Sequence, residues 1–137
     1  MNDGTATSGN EVLNSDALET FLEGPGIDIE TFEPTPGRKS LVARIAGTDA
    51  TSPSLCLMGH TDVVPVNPDG WTRDPFGGEL VNDEVWGRGA VDMLNLTASQ
   101  AVAVADRDMR QTRWRRIRST ARSCRGEPPI CAALCVL

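Results

Sequence analysis

The sequence is short of several things that would each point to a familiar class. It has one histidine, His60, in 137 residues, so no site built from several imidazoles can come from this chain. It has no apolar run long enough to span a bilayer. The start, Met1-Asn-Asp-Gly-Thr, lacks the basic-then-apolar pattern of a signal peptide. A soluble, cytoplasmic protein without membrane insertion is therefore expected. There is no Cys-x-x-Cys pair: Cys56, Cys124, Cys131 and Cys135 are irregularly spaced, which argues against a zinc knuckle or a disulfide framework and leaves reduced thiols. Cys56, inside an apolar run, reads as a small buried hydrophobe. Basic residues are scarce before Asp106, where Arg38, Lys39, Arg44, Arg73 and Arg88 are the whole set. Such an acidic body argues against a nucleic-acid surface on the domain. The length suits one domain with a modest core.

What is present reads as alternating α and β segments. Residues 1–10 are a polar lead-in. From Glu11 to Glu23 the apolar residues Leu13, Ala17, Leu18, Phe21 and Leu22 recur at helical spacing, and Gly24-Pro25-Gly26 ends the run. Ile27–Phe32 alternates as a half-buried strand, Pro34–Gly37 is a turn, and Leu41–Ile45 is a second strand. Leu55–Met58 is a short apolar run of the kind buried on both faces of a sheet. His60 would then lie just past the end of a central strand, where open α/β sheets tend to bind ligands. Trp71 and Phe76 anchor the loop that follows. Glu79–Val81 and Glu84–Trp86 flank Asn82-Asp83 as a hairpin. Met93–Ala105, rich in Ala, Leu and Val, predicts a largely buried helix.

Two side chains stand out chemically. Neutral imidazole is a common metal ligand, and Asp62, two residues after His60, offers a carboxylate that would fix the tautomer and raise the ring's basicity. A lone histidine is also commonly structural. Asp92, after Gly87-Arg-Gly89, is either a helix N-cap or a carboxylate able to bridge two metal ions. Gly87-x-Gly89 is not a dinucleotide fingerprint, because Asp92 stands where the third glycine belongs.

Taken together, Leu57-Met-Gly-His-Thr-Asp-Val-Val-Pro65, Trp71, Asp74-Pro75-Phe76 and Trp86-Gly-Arg-Gly-Ala-Val-Asp-Met93 resemble the co-catalytic dizinc amidohydrolases. These include aminoacylase, acetylornithine deacetylase, succinyl-diaminopimelate desuccinylase and carboxypeptidase G. Gly9-Asn-Glu11, Gly26-Ile-Asp-Ile and Gly37-Arg38 extend the resemblance from about Gly9 to Ala105. It implies that His60 binds one Zn2+, that Asp92 bridges two, that Asp62 orients His60, and that the Asp92–Met93 peptide is cis. The implied reaction cleaves an amide beside a carboxylate in a peptide or N-acyl amino acid, with a glutamate as general base.

The sequence departs from that family in places. Leu94-Asn95 stand where Lys-Gly is usual. The family's Glu-Glu pair and later histidine have no counterpart, because Glu127 is the one acidic residue after Asp108. The substrate-gripping lid domain has none either, and a helix usual before Gly9 is missing. Weak zinc binding and no useful hydrolysis by this chain alone are expected. Residues 106–137 carry eight arginines and no lysine. They read as a basic arm for nucleic acid or anionic lipid, as a solvated helix end, or as sequence from a frameshifted or truncated gene. The expected architecture is thus α/β: a flexible lead-in (1–10), part of a zinc-hydrolase catalytic domain with a mostly buried sheet flanked by helices (11–105), and an irregular Arg-rich tail (106–137). The alternative function is a non-catalytic fragment or interaction module acting through that tail.

Overall fold

The computed structural model describes residues 10–47, 51, 53–118 and 131–136. Helix α1 (Glu11–Leu22) is followed by strands β1 (Ile27–Thr35), β2 (Arg38–Ile45) and β3 (Ser54–Gly59). A single 3-10 turn (Pro68–Gly70), the hairpin β4 (Glu79–Val81) and β5 (Glu84–Trp86), helix α2 (Leu94–Arg118) and strand β6 (Cys131–Val136) complete the order. The main sheet runs β1-β2-β6-β3. Strand β2 is antiparallel to both β1 and β6, and β6 is parallel to β3.

Residues at every second position of β2, namely Leu41, Ala43 and Ile45, are fully buried, and so are Leu134 and Val136 of β6. A period of two means that one face of the sheet carries the core. The helices cover that face with Leu22 from α1 and Ala101 and Val104 from α2. The turn between β4 and β5 places Asn82 and Asp83 at φ 51° and 65°. Two adjacent left-handed residues are what a tight hairpin needs, and Asn and Asp accept them readily.

Helix α1 buries a different stripe from the one its apolar residues suggest. Glu11 and Ser15 are buried, whereas Leu13 and Phe21 are more than half exposed. Polar contacts to β2 set this rotation. Arg38 lies 3.1 Å from the Glu11 carboxylate, and the Ser15 hydroxyl donates to the Lys39 carbonyl at 2.6 Å. Lys39 in turn reaches Asp16 at 2.8 Å and also pairs with Glu19.

Strand β3 corrects an expectation. It lies at the edge of the described sheet rather than at its centre, so Leu55 and Met58 are 49% and 60% exposed. Cys56, expected to be buried, is exposed on this edge strand. The stretch from residue 106 also holds regular structure. Helix α2 continues to Arg118, and Cys131–Val136 form the central strand β6. Arginine is a good helix former, and Leu134 and Val136 supply the alternate apolar positions that a strand between β2 and β3 must bury. The lead-in before Asn10, and within the Arg-rich stretch residues 119–130, lie outside the described residues. So do the side chains of Pro68, 107–118 and 131–133. No helix among the described residues is long and apolar enough to cross a membrane.

Candidate functional site

His60 follows directly after β3, and Asp92 precedes α2 by two residues. The sheet and the α2 entry bring them together. His60 Nε2 lies 3.4 Å from Asp92 Oδ1, and His60 Nδ1 lies 3.0 Å from Asp62 Oδ1. The Asp62 main-chain oxygen is 3.3 Å from the same Nδ1. All three side chains open to solvent, at 38% exposure for His60, 54% for Asp62 and 82% for Asp92. An imidazole this exposed is not a core residue. The Asp92 carboxylate meets His60 rather than capping α2: the Leu94 N–H is taken by the Gly89 carbonyl at 2.8 Å and the Leu96 N–H by Asn95 at 2.7 Å.

The hydrogen-bond geometry has a consequence for the proton. Two acceptor oxygens around Nδ1 suit a ring N–H at that nitrogen. The lone pair of Nε2 then faces a carboxylate oxygen at 3.4 Å. Two acceptors at that separation are compatible when a cation, a metal ion or a proton on Nε2, lies between or beside them, so this donor pair can take a metal ion. Asp62 sits on the side of the ring away from Asp92. Among the described residues, no group of three or more His, Cys, Asp or Glu side chains is arranged to hold a metal ion.

The glycines of Trp86–Met93 let this loop turn beneath the site. Gly89 has φ +79°, and a Cβ there would lie 2.5 Å from Leu94 Cδ1 and 3.1 Å from Val63 Cγ1. The Arg88 N–H donates to the Pro75 carbonyl at 2.7 Å, and the Arg88 guanidinium lies over Trp71 at 5.4 Å. Arg73 lies over Trp86 at 5.8 Å. These contacts fasten the loop around Trp71, one of the two expected anchors, to the strand–loop carrying Asp92. The Asp92–Met93 peptide is cis, as the resemblance implies.

Three polar residues absent from the sequence reading hold the His60 backbone. Asn14 Nδ2 donates to the Thr61 carbonyl at 3.3 Å, Thr97 Oγ1 to the His60 carbonyl at 3.2 Å, and Gln100 Nε2 to the Met58 carbonyl at 3.2 Å. The available signal was Thr97 and Gln100 among the polar residues that open α2.

The profile of peptidase family M20/M25/M40 matches residues 56–118, which takes in both motifs and passes the boundary expected at residue 105. Succinyl-diaminopimelate desuccinylase of Rhodopseudomonas palustris is 44% identical over 94 residues, covering 66% of this chain and 24% of that protein. The enzyme of the same name from Cereibacter sphaeroides is 41% identical over 92 residues, with coverage of 66% and 24%. The chain thus spans about a quarter of the length of the curated relatives it matches. Among solved structures, an M20 family metallo-carboxypeptidase from Sulfolobus solfataricus superposes with a TM-score of 0.65 at 23% identity, covering 98% of this chain and 27% of that one. Human carnosine dipeptidase 1 gives 0.55 at 23% identity, covering 91% and 24%. These two likenesses carry the fold. The profile match over residues 56–118 and the identity to the curated relatives across both motifs place this segment of the chain in peptidase family M20/M25/M40.

Proposed function

We propose that this chain carries part of the metal site of a zinc-dependent hydrolase of amide bonds in peptides or N-acyl amino acids. His60 and Asp92 are its metal ligands, and Asp62 is the group that orients His60. The observation that carries the reading is the 3.4 Å separation of His60 Nε2 and Asp92 Oδ1. Two ligands bound to one tetrahedral zinc at about 2.0–2.1 Å stand about 3.3 Å apart. When bound, zinc lowers the pKa of a coordinated water towards neutrality and polarises the substrate carbonyl.

The residues of this chain prepare the site for that chemistry. Asp62 accepts a hydrogen bond from Nδ1–H and keeps the Nε2 lone pair directed at the cation. Asp92 supplies negative charge with a second oxygen free to reach a neighbouring cation. The mostly exposed Asp92 carboxylate leaves the site open to an incoming amide. The desuccinylases it resembles act, by name, on succinyl-diaminopimelate, so an N-acyl diamino acid is a fitting first substrate to assay. Two protein ligands are fewer than the three that a catalytic zinc usually takes. Zinc binding by the chain alone is accordingly weak and its turnover slow.

The test is a calorimetric zinc titration of the wild-type chain and His60→Ala, with hydrolysis of N-acyl amino acids followed in parallel. Micromolar-to-millimolar binding that His60→Ala abolishes supports the reading. Binding indifferent to His60→Ala contradicts it. Tight uptake of two zinc ions per chain, or turnover lost in His60→Ala, would overturn the expectation of an incomplete site.

A further inference from the structure

We infer that Thr97 is a positioning residue that sets the spacing between His60 and Asp92; the inference rests on the metal-site reading above. Thr97 is 2% exposed, so its polar atoms must find partners within the protein. Its hydroxyl donates to the His60 carbonyl at 3.2 Å. Its backbone N–H donates to the Met93 carbonyl at 2.9 Å, the opening i→i−4 bond of α2, which fixes Thr97 against the peptide that follows Asp92. One residue therefore binds the main chain at both halves of the site. No covalent path shorter than the thirty-odd residues between His60 and Asp92 does the same.

The surroundings are shaped for this tie. A Cβ on Gly59 would stand 2.5 Å from Thr97 Oγ1 and 3.4 Å from Thr97 Cβ. The missing side chain at Gly59 is what lets α2 approach the end of β3 closely enough for the hydroxyl to reach. One turn further along α2, Gln100 Nε2 donates to Met58, and from the other helix Asn14 holds Thr61. The carbonyls of residues 58, 60 and 61 are thus each held by a helix side chain. Of the three, Thr97 lies in the first turn of α2, directly after the Asp92–Met93 peptide.

The test compares wild type, Thr97→Val and Thr97→Ser in the full chain. Valine keeps the shape and removes the hydroxyl; serine keeps the hydroxyl. The metal-free readout is the 15N shifts of the His60 imidazole, which report its tautomer and surroundings. The metal readout is zinc affinity by calorimetry. Thr97→Val should shift the His60 nitrogens and lower zinc affinity about tenfold, the lower end of what supporting hydrogen bonds around metal ligands contribute. Thr97→Ser should restore both to near wild type. A folded Thr97→Val with unchanged His60 shifts overturns the inference, whatever its thermal stability. If the wild-type chain takes up no zinc, the metal reading fails, while the metal-free shifts still decide the role of Thr97. If Thr97→Val does not fold, Gly59→Ala, which drives the hydroxyl off the carbonyl, takes its place under the same criteria. In wild type itself, a Thr97 hydroxyl proton in fast exchange with water would also overturn the inference.

Discussion

Replacing Leu134 by alanine tests whether the sheet that carries His60 is built around β6. Leu134 is fully buried and lies between Ala43 on β2 and Leu57 on β3 in the strand register. Leu→Ala in a core costs about 2–5 kcal/mol, more where the surroundings cannot collapse into the space. Here hydrogen-bonded strands fix the backbone on both sides, and one neighbour is already alanine. A loss of about 3–4 kcal/mol is expected. Against a typical total of about 5–15 kcal/mol, that is a large share. Cys135, one residue on, faces the uncovered side of the sheet and is half-buried, so Cys135→Ala should cost less than about 1 kcal/mol. Urea unfolding of both variants at constant m reads the difference. The functional consequence follows from the topology. Strand β3 ends at Gly59, immediately before His60, and β6 is its hydrogen-bonding partner among the described strands. Loosening β6 should therefore broaden the His60 signals as well as lower the midpoint. A Leu134→Ala variant within about 0.5 kcal/mol of wild type would refute the placement of residues 131–136 in the core.

Asp62→Asn keeps an oxygen near His60 Nδ1 but removes its charge. Zinc affinity should fall about tenfold, rather than vanish, because the Asp62 carbonyl remains 3.3 Å away; calorimetry reads it, and unchanged affinity would remove the orienting role. Gly89→Ala adds a side chain at φ +79° against Leu94 and Val63, and should cost about 1–3 kcal/mol in denaturant unfolding through backbone strain alone. Hydrogen bonds from Lys39 to Asp16 and then Glu19 raise the lysine pKa above its ordinary 10.5. The folded state therefore binds this proton more tightly than the unfolded state. The resulting stabilisation is complete below pH 10.5 and is lost as pH rises through the folded value. Lys39→Met should flatten that alkaline decline in melting temperature, and an unchanged pH profile would contradict the assignment.

The parts of the fold governed by local chemistry were legible in the sequence. Gly24-Pro25-Gly26 stops α1, Asn82-Asp83 turns the small hairpin, and the alternation in Leu41–Ile45 marks the buried face of β2. The site was legible for a different reason: two motifs with unusual residue content, each ending in a ligand-type side chain, resemble one family over most of the chain. What escaped was set by partners distant in sequence. The buried stripe of α1 is fixed by Arg38 and Lys39 across the sheet, so Glu11 and Ser15 go in while Leu13 stays out. The exposure of Cys56 and Met58 depends on β3 having a neighbour on one side. The role of Cys131–Val136 depends on pairing with strands 77 to 95 positions away in the chain, which no local pattern can announce. Thr97 was invisible because a threonine in an apolar helix looks like a tolerated exception until its partner, a carbonyl 37 residues away, is in view.

The most direct measurement is X-ray absorption at the zinc edge of the chain loaded with one equivalent of the metal. The account predicts an imidazole nitrogen at about 2.0–2.1 Å and otherwise oxygen neighbours, with the imidazole signature lost in His60→Ala. A sulfur shell at about 2.3 Å, from cysteine thiolate, or an imidazole-free shell in the wild type would contradict it.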